Sequence, residues 1–160
     1  MTTHVPVKIK KLRPDAVLPK YGTPYAAGAD LYACMDEDKL VIASGETKFV
    51  HTGLSLELPE GTVGLVYARS GLASKRGIAP ANKVGVVDSD YRGEIMVAMH
   101  NHSSDPQIVE RGERVAQLVI APYYTADFEE VAGFYKGSHN PSPTISFPKN
   151  EESNLQEFLY

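Results

Sequence analysis

The stretch Gly85–Glu94, GVVDSDYRGE, sets two carboxylates beside an aromatic ring and an Arg-Gly pair. A carboxylate held next to a water molecule can act as a general base. Asp88 follows Val86-Val87 and so closes an apolar strand, whereas Asp90 lies further into a turn. The strand-end carboxylate is expected to be the more buried of the two and therefore the better base. The competing reading is a plain hairpin turn in which both aspartates form Asx turns. Asn82, in the preceding APAN, offers the paired donor and acceptor that can read the edge of a nucleobase. Tyr91 can pack flat against a sugar.

Three further constellations accompany this one. In ARSGLASK, Arg69, the Ser70 hydroxyl and the backbone N–H groups around Gly71 make a compact anion site at the start of a helical turn. Ser70 is expected to cap that turn, and the alternative is a capped turn with a surface arginine. In YAAGADLYA, the small residues permit close backbone approach, and Asp30 sits among apolar neighbours. An aspartate there needs a partner, a metal or a pocket, or else the N–H groups of a turn. In GERVAQL, Gln117 interrupts an apolar run, and its amide must be satisfied by protein or by ligand. His100 and His102 share a strand face and read as a surface pair rather than metal ligands. There is no phosphate loop with a following lysine, no nucleophile elbow and no metal-ligand spacing of His and Cys.

Turn signals recur at short intervals, among them YGTP, ASGE, LPEG, YRGE and ERGE. Between them lie short alternating runs. Val50, Leu54, Leu56 and Leu58 share one face, and Val63, Leu65 and Tyr67 share another. Ile95, Val97 and Met99 alternate with Met96 and Ala98, so that strand is expected to be buried on both sides. Short strands with regular turns make an all-β sandwich or barrel. The 160 residues suffice for one domain with a core. A net charge of −4 argues against general nucleic-acid binding but leaves room for a local basic pocket. The single cysteine, Cys34, excludes an internal disulfide and fits a reducing compartment. The stretch MTTHVPVKIKKLRP lacks an apolar core and is not expected to act as a secretory signal, and no apolar run reaches the roughly 18 residues of a membrane span. The expected location is cytoplasmic, with a nuclear or organellar address left open. Residues 1–131 read as a β domain. Residues 132–160, rich in Pro, Gly and Ser, read as an irregular arm or tail, with a short amphipathic stretch in EESNLQEFLY.

In order and rough spacing, AAGADLYA, ARSGLASKRGI, NKVGVVDSDYRGEI and GERVAQLVI closely resemble the first four motifs of the trimeric dUTP pyrophosphatases (dUTPases), from about Lys8 to Glu130. The resemblance implies a distorted β jelly roll, a threefold homotrimer with sites between subunits, and Mg²⁺-dependent hydrolysis of dUTP to dUMP and pyrophosphate. Carried onto this chain, it makes Asp88 the general base for water attack on the α-phosphorus and Asp90 a support of the turn. Asn82 and the backbone at Gly85 and Val87 would recognise uracil, and Tyr91 would lie under the deoxyribose and reject a 2′-hydroxyl. Ser70, Gly71 and Gln117 would hold the phosphates, and Arg69 would brace that site or touch the phosphates. Asp30 would face the water shell of Mg²⁺, which in that family is bound mainly by the triphosphate and water.

The family's fifth motif, a Gly-rich lid opening on Arg-Gly, does not match well. This chain has VAGFYKGSHNPSPT, in which Phe134 could stack on uracil and Lys136, Gly137 and Ser138 could imitate the phosphate contacts. The missing arginine keeps three alternatives open: a divergent lid, a lost lid with slow turnover, or an unrelated tail that engages a protein partner. The competing function is a nucleotide-binding or regulatory protein of the same fold with weak turnover. A dCTP deaminase, a relative on that fold, needs a carboxylate at the base edge, and none is evident near Asn82.

Overall fold

The structure is a computed structural model that describes residues 4–133. The chain divides after Thr125 into two units, and among the described residues the first carries every strand and the helix. Its elements run β1 (Lys8–Lys11), β2 (Lys20–Tyr21), β3 (Ala29–Tyr32), β4 (Lys39–Ile42), β5 (Thr47–Glu57), β6 (Thr62–Ala68), α1 (Ser70–Arg76), β7 (Ile78–Pro80), β8 (Val84–Val87), β9 (Glu94–Asn101), β10 (Gln107–Glu110) and β11 (Arg114–Pro122). The expected all-β sandwich of jelly-roll type is what these elements build. One sheet has the order β1-β5-β9-β7 and the other β2-β3-β11-β6-β8, with β10-β4 as a separate pair. Every pairing is antiparallel. Among the described residues, no helix is long and apolar enough to cross a membrane.

Alternation decides what enters the core, because successive side chains on a strand point to opposite faces. Val50, Leu54, Leu56 and Leu58 are buried, as are Ile95, Val97 and Met99. The expectation that β9 is buried on both sides is corrected: Met96, on its other face, is 42% exposed. On β6 the core side is Gly64 and Val66, so Val63, Leu65 and Tyr67 form the outer face. Pairing continues that face across the sheet. Gln117 and Val84 flank Tyr67, while Val119 and Val86 flank Leu65. Val86 is 65% exposed there.

The hairpin expected at GVVDSDYRGE is also corrected. β8 pairs with β6, and β9 pairs with β5 and β7, so the two strands flanking the loop lie in different sheets. The loop is a bridge between the sheets, turned by Tyr91 N–H donating to the Asp88 carbonyl at 3.1 Å. Turn residues in a sequence mark where the chain reverses. They do not say which strands pair across the turn.

The largest buried polar group is Asn101, fully buried at the end of β9. Its amide donates to the Ile42 and Asp105 carbonyls, and its oxygen accepts from the Ser103 N–H and hydroxyl. Each of its hydrogen-bonding positions is filled, as burial of an amide requires. His100 and His102 meet edge to face with ring centres 4.4 Å apart. Nδ1 of His100 shares a hydrogen bond with the Thr47 hydroxyl.

Candidate active site

Two groups of the expected site residues emerge, on different parts of the sandwich. The first surrounds a pocket of about 280 Å³ where β8 and its loops meet the β5–β9 sheet. Asn82, Gly85, Val87, Asp88 and Tyr91 all line it. Asn82 is exposed between β7 and β8, in a tight turn where Val84 N–H donates to its carbonyl at 2.7 Å. Its side-chain amide has no hydrogen-bond partner among the described residues and is free to meet a base edge. Gly85 packs its backbone against Val66 and the Asn82 amide.

Asp88 stands immediately after β8, and its carboxylate is exposed, as is that of Asp90. Neither is the buried strand-end carboxylate that was expected. What separates them is position: Asp88 lines the pocket and Asp90 does not. Tyr91 is folded back over its own loop, its hydroxyl donating to the Glu94 carbonyl at 3.1 Å. Gly93 makes this possible, because a Cβ there would overlap the Tyr91 phenol. Glu94 lines the same pocket, a carboxylate near Asn82 that the sequence did not reveal. It is committed elsewhere, accepting from Gly53 N–H and facing His51 Nδ1, each at 2.8 Å.

The second group lies on the outer face of the five-stranded sheet. Asp30 on β3 is opposite Gln117 on β11, which is opposite Tyr67 on β6. Asp30 finds its partner in Arg69, whose Nε donates at 2.8 Å, and a weaker one in Arg114 at 3.4 Å. The turn-aspartate alternative is thus replaced by a strand aspartate in an ion pair. Arg114 was missed, although it stands in the quoted GERVAQL. Only the β3–β11 pairing brings its guanidinium to Asp30. The Gln117 amide nitrogen donates to the Ala68 carbonyl at 2.9 Å, so protein satisfies that donor. Gly28 supplies the close approach expected of the small residues near Asp30, since a Cβ there would overlap the Gln117 amide oxygen.

Arg69 also links β6 to α1. It is the N-cap residue, with extended backbone and no side-chain capping bond, so Ser70 is the first helical residue rather than the cap. Capping by Ser70 would need extended backbone at that position, and the helix begins one residue too early. The first N–H groups of α1 have no carbonyl partner within the helix, and with Arg69 beside them they form a cationic, donor-rich corner suited to phosphate oxygens.

The two groups stand apart within one chain. Val84 is opposite Tyr67 and Val87 opposite Gly64, so Asp88 and Arg69 lie beyond opposite ends of the β6–β8 pairing. At about 3.3 Å per strand residue, this separates them by roughly 20 Å along the strands. Phe134, with Lys136, Gly137 and Ser138, lies outside the described residues.

The family model for dUTPase matches residues 15–144. The chain belongs to the dUTPase family. It is 51% identical over 127 residues to the deoxyuridine 5′-triphosphate nucleotidohydrolase of Desulfitobacterium hafniense (strain DSM 10664 / DCB-2), covering 78% of this chain and 83% of that one. With the enzyme of the same name from Anaplasma marginale (strain St. Maries), identity is 50% over 114 residues, covering 71% and 77%. Among solved structures, the dUTPase of Staphylococcus bacteriophage 80alpha, determined with dUpNHpp, is similar with a TM-score of 0.74 at 25% identity, covering 83% of this chain and 92% of that chain. The dUTPase of S. aureus phage phi11, described with a structural Mg(II) ion, shares the fold at a TM-score of 0.70 and 22% identity, covering 81% and 98%. The dUTPase family match extends beyond the described residues to residue 144.

Proposed function

We propose that this chain hydrolyses dUTP to dUMP and pyrophosphate, with Asp88 activating the water that attacks the α-phosphorus. The observation that carries the reading is the pocket between the sheets. It joins a free amide at Asn82, the β8 residues Gly85 and Val87, the Tyr91 ring and the Asp88 carboxylate. Asn82 and the backbone recognise uracil, and a wall close to the base leaves no room for the methyl of thymine. Cytosine presents an amino group where a carbonyl is required, and unpaired polar groups are costly to bury. Tyr91 borders the sugar and excludes a 2′-hydroxyl. Release of pyrophosphate from dUTP, with dTTP, dCTP and UTP as controls, checks this reading. Release without preference for dUTP would sink it.

The phosphates belong to the second group: Arg69, Ser70, Gly71 and Gln117. A span of roughly 20 Å is too long for one triphosphate to touch both groups in one protomer. The site is therefore shared between copies, with the Asp88 pocket of one facing the Arg69 corner of another. The apolar outer face of Leu65, Tyr67, Val86 and Val119 supports association of copies, and the threefold number follows the family resemblance. Co-expressing Asp88→Asn and Arg69→Ala chains should restore activity that neither variant has alone, because mixed trimers contain some sites with both groups intact. No recovery in mixed trimers would exclude the shared site.

Mg²⁺ fits this arrangement as an ion carried by the substrate. Asp30 already faces two guanidinium groups, and among the described residues no three His, Cys, Asp or Glu converge. When bound, the ion would neutralise triphosphate charge, and Asp30 is the residue that would face its water shell. The dUTPase match up to residue 144 favours reading residues 132–160 as a divergent lid. The absent arginine favours a second reading, nucleotide binding with weak turnover. A chain ending at residue 131 distinguishes them: slower dUTP turnover supports the lid, and unchanged turnover removes it.

A further inference from the structure

We propose that Glu94 is a positioning residue that sets the Tyr91 ring and thereby the choice between deoxyribose and ribose. The inference rests on the reading of Tyr91 as the wall beside the sugar. Its basis is an irregularity in the β5–β9 pairing. His51 is opposite Met96 and Ser55 opposite Glu94, so β5 carries extra residues between these pairs. A bulge of this kind takes backbone groups out of the ladder, and a buried N–H must find another acceptor. Here the N–H of Gly53 donates to Glu94 Oε1, while Glu94 Oε2 engages His51 Nδ1.

Two neighbouring bonds fasten the same segment. The Ser55 hydroxyl donates to the Arg92 carbonyl at 2.8 Å, and the Thr52 hydroxyl donates to the Ile95 carbonyl at 2.6 Å. The bulge thus holds residues 92–95 from one side. On the other side, the Glu94 carbonyl receives the Tyr91 hydroxyl, and Gly93 forms the floor under the ring. Tyr91 is 43% exposed, and its hydroxyl donates to the Glu94 carbonyl. Its position is therefore set by the backbone of residues 93 and 94, which the Glu94 carboxylate ties to β5. Glu94 touches no reacting atom in this arrangement. It acts through the carbonyl that orients Tyr91.

The test compares kcat/KM for dUTP and for UTP in wild type, Glu94→Ala, Glu94→Gln and His51→Ala. Glu94→Ala should reduce the preference for dUTP over UTP about tenfold, chiefly by improving UTP, while its preference for dUTP over dTTP holds. Glutamine can still accept from Gly53 N–H and can donate to His51, so Glu94→Gln should keep the sugar preference. His51→Ala, at an exposed imidazole, removes one arm only and should produce a smaller relaxation in the same direction. It keeps the test open should Glu94→Ala not fold. An unchanged dUTP-to-UTP ratio in folded Glu94→Ala would overturn the proposal, as would equal loss of both preferences. If Glu94→Ala does not fold, an unchanged ratio in His51→Ala overturns it. A wild-type protein that does not prefer dUTP over UTP would instead sink the reading of the Tyr91 pocket.

Discussion

Asp88→Asn lowers kcat for dUTP by about 10²–10⁴-fold, the range expected for loss of a general base. Asparagine has nearly the shape of aspartate but cannot take the proton from water. Asp88 is exposed at the end of β8 and lines the pocket with Asn82 and Tyr91. Its carboxylate takes part in no ion pair among the described residues, so the substitution costs little stability. The expected pattern is therefore a large loss in kcat, with KM and the melting temperature near wild type. Asp90→Asn provides the contrast, since Asp90 is also exposed but does not line the pocket. Steady-state pyrophosphate release and a thermal melt separate the cases. Full turnover in Asp88→Asn would end its assignment as the base, even with the family unchanged.

Arg69→Ala should lower kcat/KM by about 10²–10³-fold, comparable with removing one preorganised donor from a developing negative charge. Arg69 stands beside the open N–H groups of α1, and its Nε is held by Asp30 at 2.8 Å. The Asp30 side chain is only 13% exposed, so losing the guanidinium leaves a mostly buried carboxylate with Arg114 alone, at 3.4 Å. A stability loss of about 1–3 kcal/mol accompanies the loss of activity. Arg69→Lys restores the charge but not the planar fork, and should recover only part of each. Combining Arg69→Ala with Asp30→Asn should restore most of the melting temperature by removing the unpaired charge, while activity stays low. If activity returned together with stability in that double variant, Arg69 would be a structural residue and not a phosphate contact.

Much of the fold was legible because a strand declares its faces in the sequence. Val50, Leu54 and Leu56, and Ile95, Val97 and Met99, fall on the core side as their alternation requires. The helix at Ser70–Arg76 was visible as a turn signal followed by helix-forming residues. Alternation does not say how many faces are covered. Met96 was expected to be buried and is exposed, because β9 has the core on one side only. Nor does it say which strands pair, so the GVVDSDYRGE loop looked like a hairpin although it joins two sheets.

The candidate site divides along the same line. Residue types alone marked Asp88, Asn82, Tyr91, Asp30, Arg69 and Gln117, since each carries a polar group where apolar or turn residues surround it. Arg114, His51 and Glu94 escaped notice because charged groups are ordinary on a surface strand. Their importance comes from partners far away in the chain, Asp30 for Arg114 and the β5 bulge for Glu94. The sequence by itself marked the candidate chemistry: a candidate base, a candidate base-reading amide and a candidate cationic corner. Only the tertiary structure decided that the base and the corner stand beyond opposite ends of the β6–β8 pairing. Strand register sets that separation, and register depends on pairings between residues distant in sequence.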